Sequence, residues 1–200
     1  MKIAKLLFFL TVCIKSFCVV NVTWNDVTTP SGTAALSTAR GAPMVINSSG
    51  QKAFTYWLDS SDASVKGAFS TDSGVTWTQV VVDSLTGNTS TSVGLMSNDG
   101  LIVQAFWRAT DSLKCKYSFD GGQTWPTSAV TISEDSTTSI ATGSVKANGS
   151  TSGQYLVVTW QPTEVSTKYV KFAYSSDYGQ TWSTPENLTS FTSTVYSLYP

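Results

Sequence analysis

The sequence predicts an all-β chain, a propeller-type array of four-stranded antiparallel blades with three blades complete and a fourth begun. Three observations carry that expectation. An eight-residue box, S-x-D-x-G-x-T-W, occurs three times, at spacings of 48 and 57 residues. Each box is preceded by a short apolar segment of strand character and, further back, by a Gly and a Trp seven positions apart. The composition is rich in aromatic and β-branched residues and poor in charge, with 12% aromatic and 12% charged residues and 30 Ser and 29 Thr, which suits pleated, partly exposed strands.

The first 18 residues read as a secretory leader. Lys2 and Lys5 precede an apolar run from Leu6 to Ile14, and Ser16-Phe17-Cys18 places small residues at −3 and −1 of a cut before Val19. The run is too short to span a bilayer, and no later segment is apolar enough to do so. Cleavage leaves nine basic and thirteen acidic residues, one cysteine (Cys115) and no internal disulfide. The expected location is extracellular or periplasmic. Sequons at Asn21, Asn47, Asn88, Asn148 and Asn187 matter only in a host that glycosylates. Residues 19–39 form a lead-in strand or linker.

The blades follow over 40–200, at about 40–88, 89–138 and 139–190, with a partial fourth at 191–200. The boxes are Ser70-Thr71-Asp72-Ser73-Gly74-Val75-Thr76-Trp77, Ser118-Phe119-Asp120-Gly121-Gly122-Gln123-Thr124-Trp125 and Ser175-Ser176-Asp177-Tyr178-Gly179-Gln180-Thr181-Trp182. Within each blade, strand A runs into the first Gly (Gly50, Gly100, Gly153). Strand B ends near the first Trp (Trp57, Trp107, Trp160). Strand C is the segment before the box, and strand D follows it. Four strands per repeat of about 50 residues is the signature of a propeller blade. The box Gly permits a positive φ. The box Ser and Asp hydrogen-bond turn amides, and the box Trp covers the turn. Ser70, Asp72, Gly74 and Trp77, Ser118, Asp120, Gly122 and Trp125, and Ser175, Asp177, Gly179 and Trp182 are therefore expected to be structural. Identical repetition in every blade is a folding requirement, whereas chemistry asks for differences between blades.

The box is similar to the Asp-box, or BNR repeat, of the sialidase superfamily, and the resemblance covers about residues 40–190. It implies a β-propeller. It implies no single activity, because many non-sialidases carry the box. A sialidase would need a Tyr nucleophile with a Glu partner late in the chain, three arginines for the substrate carboxylate, and an Asp acid/base before the first box. Asp59 and Asp62 stand in that last region, as weak catalytic candidates. The first arginine of such a clamp lies in an F/Y-R-I-P motif. Its only analogue here is Ala39-Arg40-Gly41-Ala42-Pro43, with the Arg three residues before Pro rather than two, and one position on a strand exchanges faces. Arg40 and Arg108 are the only arginines, so a three-Arg clamp cannot be assembled. Tyr196 and Tyr199 fall in the unfinished blade.

Strand alternation puts the A–B turns and boxes on one face and the B–C loops on the other. The second face is the expected ligand site, with Arg40, Arg108, Asp111 and Glu164 as binding candidates beside Asp59 and Asp62. Lys66, Lys114 and Lys171 read as solvent-facing strand residues. The absence of histidine excludes Ser-His-Asp and Cys-His catalysis and zincin-type metal sites. No metal and no cofactor is expected. Near-neutral charge argues against nucleic acid as a partner. The reading is a secreted, non-catalytic module that binds a glycan or a surface protein. The alternative is the N-terminal part of an exo-sialidase cleaving terminal sialic acids. Since a propeller takes typically 4–8 blades, the sequence is expected to be a piece of a longer array. If the chain does end at Pro200, closure requires self-association.

Overall fold

The computed structural model describes residues 42–84, 87–109, 111–134, 140–141, 143–163 and 168–191. The leader, the lead-in, Arg40, Glu164 and the partial fourth blade after 191 lie outside these residues. The described residues form twelve strands in three four-stranded antiparallel sheets, and each sheet is a simple meander in chain order.

The first blade comprises β1 (Met44–Ile46), β2 (Ala53–Asp59), β3 (Ser64–Ser70) and β4 (Thr78–Asp83). The second comprises β5 (Asn88–Met96), β6 (Val103–Ala109), β7 (Ser112–Ser118) and β8 (Val130–Glu134). The third comprises β9 (Lys146–Gly149), β10 (Leu156–Trp160), β11 (Lys168–Ser175) and β12 (Glu186–Phe191).

The three blades share one register. Trp57 pairs with Lys66, and Trp107 pairs with Lys114. Each blade also carries a bulge at the same place, after Val65, Leu113 and Val170 on its third strand. A bulge adds one unpaired residue to the partner strand and sharpens the twist. The extra residues are Val82, Ile132 and Leu188. In the first two blades this residue points into the core between blades.

Two apolar clusters form, one at each junction between blades. The first joins Phe54, Tyr56, Val65 and Val82 of the first blade to Val103, Ala105 and Trp107 of the second. The second joins Phe106, Leu113, Cys115 and Ile132 of the second blade to Val158, Trp160 and Ala173 of the third. The strand alternation explains both. Each strand sends one set of side chains forward to the following blade and the other set back.

The first strands β1, β5 and β9 lie side by side, and the A–B turns are chained across blades. Ser48 N–H donates to the Asn98 carbonyl at 3.2 Å, and Asn98 N–H donates to the Thr151 carbonyl at 2.8 Å. Burying sheet faces against one another in this way is what lets isolated four-stranded sheets become stable.

Candidate functional site

The boxes come first because they fix which end of each blade is which. In all three, the Ser hydroxyl donates to the box Asp at 2.7–2.8 Å and accepts the box Gly N–H at 2.9 Å. The other carboxylate oxygen accepts the Thr hydroxyl at 2.5–2.6 Å. The Thr N–H reaches back to the first oxygen, at 2.8–2.9 Å. The Trp indole donates to the box Gly carbonyl at 2.9–3.1 Å.

Two consecutive residues take positive φ in each box: Ser73 and Gly74, Gly121 and Gly122, Tyr178 and Gly179. Ser73 and Tyr178 pay the left-handed strain of an L-residue, and the Asp bonds hold them there.

Those bonds hold Asp72 down to about 2. Burial pushes the carboxyls of Asp120 and Asp177 upward, but the hydrogen bonds of their box Ser and Thr outweigh it and leave both lowered. Each carboxylate is thus engaged within its own turn. Among the described residues, no three His, Cys, Asp or Glu side chains gather as a metal site.

The boxes are tied to the A–B turns of their own blades. Ser73, Gly121 and Tyr178 donate their N–H groups to the carbonyls of Gln51, Leu101 and Gln154. The boxes and A–B turns therefore share one face, and the B–C turns lie at the opposite end of the strands.

On that opposite face, Asp59 closes β2 and is only 2% exposed. Ser61 donates its N–H and its hydroxyl to one carboxylate oxygen, at 2.9 and 2.6 Å. Lys66 forms an ion pair with the other oxygen and lies 3.5 Å from Asp62. The Lys66 hydrogen bond, then those of Ser61, bring the Asp59 carboxyl to about 2. Asp59 in turn raises Lys66. Asp62 is lowered chiefly by hydrogen bonds from Ser64. A carboxyl held this low carries no proton to donate near neutral pH, which a general acid requires. Ala63, between Asp62 and Ser64, is held at φ 56°, a region L-residues seldom occupy.

Arg108 follows Trp107 on β6 and is half-buried. Its Nε donates to the Thr89 hydroxyl at 2.9 Å, and an Nη donates to the Ile140 carbonyl at 2.5 Å. Ile140 bridges to Pro162, just beyond β10 of the third blade. The guanidinium thus fastens the second blade to the third. Asp111 is exposed in the β6–β7 turn. The structure brings Asp59 and Asp62 together around Lys66 and places Arg108 and Asp111 one blade further on.

Lys66 was expected to face solvent. Instead it is the hub of the Asp59–Asp62 pair, because its register position opposite Trp57 puts its long side chain within reach of both carboxylates. A second charged group that sequence reasoning missed is Lys116, which is buried. It meets Asp83 of the first blade at 3.1 Å and donates to the carbonyls of Val82 and Thr127. Asp83 also accepts from Asn88, which accepts from the Trp107 indole. The available signal was a Lys where the corresponding strand residues of the other blades, Ala68 and Ala173, are alanine.

No family model and no curated protein matches this sequence. Among solved structures, the NanB sialidase of Streptococcus pneumoniae aligns at 18% identity over 62% of this chain and 19% of its own, with a TM-score of 0.45. The Hadza microbial sialidase Hz136 aligns at 18% identity over 76% of this chain and 38% of its own, at 0.46. A chain of the nidogen/laminin complex aligns at 13% identity over 74% of this chain and 48% of its own, at 0.41. The chain spans well under half the length of the two sialidases. Alignments this loose carry no argument about activity.

Proposed function

We propose that this chain is a secreted, sialidase-related propeller array that serves as a non-catalytic binding module, presenting its B–C loop face to a glycan or a protein surface. One observation carries the reading. Three charged candidates of that face are engaged by the protein itself: Asp59 and Asp62 by Lys66, and Arg108 by Thr89 and Ile140. A glycosidase site holds its carboxyl groups so that one is protonated for the leaving group, and Asp59 is held in the opposite state. Asp111 remains at the surface of this face to make contacts.

The test pairs turnover with binding. The purified chain is incubated with a fluorogenic sialic acid α-ketoside and, separately, applied to an array of sialylated and neutral glycans. The reading expects no release of fluorophore over buffer, together with saturable binding to a glycan subset. Release of free sialic acid would overturn it in favour of the N-terminal part of an exo-sialidase.

A further inference from the structure

The box end of the second junction departs from that of the first at three positions. Inside, Gln104 stands where the first blade has Phe54. On the rim, Phe119 stands where the first blade has Thr71, and Tyr178 where the second blade has Gly121. Folding alone asks the repeats to be alike, so three departures gathered at one place need a reason of their own.

The three form one cluster. Gln104 and Tyr117 are cross-strand partners on β6 and β7, and the Gln104 amide donates to the carbonyls of Gly153 and Tyr178 of the third blade. Outward of it, aromatic rings run as a strip across the junction. Tyr117 meets Phe119 at 5.4 Å with planes 65° apart, and Phe119 meets Tyr178 at 5.5 Å and 74°. Phe119 is 48% exposed, and both tyrosines are half-buried. The strip lies between the second blade and the third, at the end of the strands where the loops of both blades, 97–102, 119–129, 150–155 and 176–185, are described throughout.

Two features of the cluster work against stability. Tyr178 holds φ 68° at a position that the second blade gives to glycine, and a bulky residue there is strained. Gln104 Oε1 is buried and, among the described residues, has no hydrogen-bond partner. Its amide is the right way round, since both groups it meets are carbonyls and accept. A buried acceptor without a donor is costly.

The chemistry of the strip selects its ligand. It offers π faces, an orphaned acceptor and negative charge. Asp120 follows Phe119 and Asp177 precedes Tyr178, and both carboxyls are lowered, so they stay ionised at neutral pH. The loops of this end in the second and third blades carry no Lys or Arg. Lys52 of the first blade lies against the Gly100 turn and acts on Asp99. A planar cation with several N–H donors answers all three features. A guanidinium stacks on aromatic faces while donating in its own plane, whereas an ammonium is a compact, more strongly hydrated point charge.

We propose that Tyr117, Phe119 and Tyr178 form a binding site for an arginine side chain of a partner polypeptide, with the guanidinium stacked on the rings, Gln104 as the acceptor behind them, and the charges of Asp120 and Asp177 drawing it in. This site is on the face opposite the B–C loops and is separate from the glycan or protein contact proposed there.

The test is calorimetric titration of the full chain with an acetylated, amidated peptide, Ser-Gly-Arg-Gly-Arg-Gly-Ser, beside the same peptide with citrulline or lysine in place of both arginines. Two variants install the residue of a sister blade: Phe119→Thr and Tyr178→Gly. Both are expected to keep the wild-type circular dichroism, and Tyr178→Gly to melt no lower than wild type, because glycine carries no left-handed strain. Saturable binding of the arginine peptide is expected. It should weaken about tenfold with citrulline and in either variant, and it should weaken measurably with lysine. No saturable binding to the wild type, equal affinity for the citrulline or lysine peptide, or undiminished binding to either variant would each overturn the proposal. Glycan binding that both variants lose, with no binding of the arginine peptide, would overturn it in favour of sugar stacking on the strip. The probe carries no sugar and the variants lie away from the B–C loops, so failure here is distinct from failure of the loop-face reading.

Discussion

The Phe54 ring of the first blade packs on the Trp125 indole of the second, with centroids 5.2 Å apart and planes tilted by 42°. The same ring lies over Gly122, in the same box. The box is thus both a turn and the part of its blade that grips the blade before it. One blade on, where Gln104 stands at the Phe54 position, the box Trp182 instead meets Phe106 edge-on, at 5.9 Å.

Alanine at Gly122 is expected to cost more than alanine at Gly74. Both residues hold positive φ, +94° and +85°, so both substitutions carry a left-handed penalty of about 1–2 kcal/mol. At Gly74 the nearest atom to an added Cβ is Trp77 Cζ2 at 3.7 Å, ordinary contact, whereas at Gly122 the Cβ meets Phe54. Overpacking of that kind adds about 1–3 kcal/mol. Urea midpoints of the two variants check this, and Phe54→Leu should relieve part of the Gly122→Ala loss. Equal losses at the two glycines would count against the grip.

The buried Lys116–Asp83 pair should behave as a unit. Lys116→Ala alone leaves Asp83 buried without its partner, a loss of about 3–5 kcal/mol. The double variant Asp83→Ser/Lys116→Ala installs the residues that the second junction has at Ser133 and Ala173, and should lose much less than the two single variants summed. A double-mutant cycle in chemical denaturation measures the difference. Simple additivity would mean that the pair is not coupled.

Acid should weaken the fold through Asp59. Its carboxyl lies at about 2 in the folded chain against an ordinary value of 3.8, so the unfolded chain binds the proton more readily. The stabilisation is complete above about pH 4 and is lost as pH falls through about 2. The lowered box carboxyls, Asp72, Asp120 and Asp177, act with the same sign. Stability measured from pH 5 to pH 2 should fall, and Asp59→Asn should flatten part of the slope. An unchanged slope in that variant would locate the effect elsewhere.

Asp120→Ala should lower stability and leave ligand binding alone. The side chain anchors Ser118, Gln123 and Thr124, on the face opposite the B–C loops. About 1–2 kcal/mol is expected for charge-assisted bonds in a largely exposed turn. Thermal melts and the glycan assay on the same preparation separate the two effects. A binding loss at unchanged stability would move the site to the box face.

Much of this architecture is written locally. The Ser, Asp, Gly, Thr and Trp of each box contact one another within eight residues, so the motif alone specifies the turn, and the strands before and after it follow from apolar spacing. What the spacing does not carry is the meeting of side chains from different strands and blades. Lys66 looks like any exposed strand lysine until register places it beside Asp59 and Asp62. Arg108 looks like a ligand-binding cation until its guanidinium is seen on Ile140, 32 residues away. The positive φ of Ser73 and Tyr178 is hidden for another reason, since neither residue type demands it. Lys116 was readable by comparing blades, because its departure from alanine coincides with Asp83 standing where the next blade has Ser133.

The most direct test of the box as the grip between blades is a double-mutant cycle of Phe54→Leu and Trp125→Leu, read by urea denaturation. The account predicts a coupling of about 0.5–1.5 kcal/mol beyond the separate losses, the range for an aromatic pair. Losses that add with no coupling would show that the box closes only its own turn and that the blades are held together by other contacts.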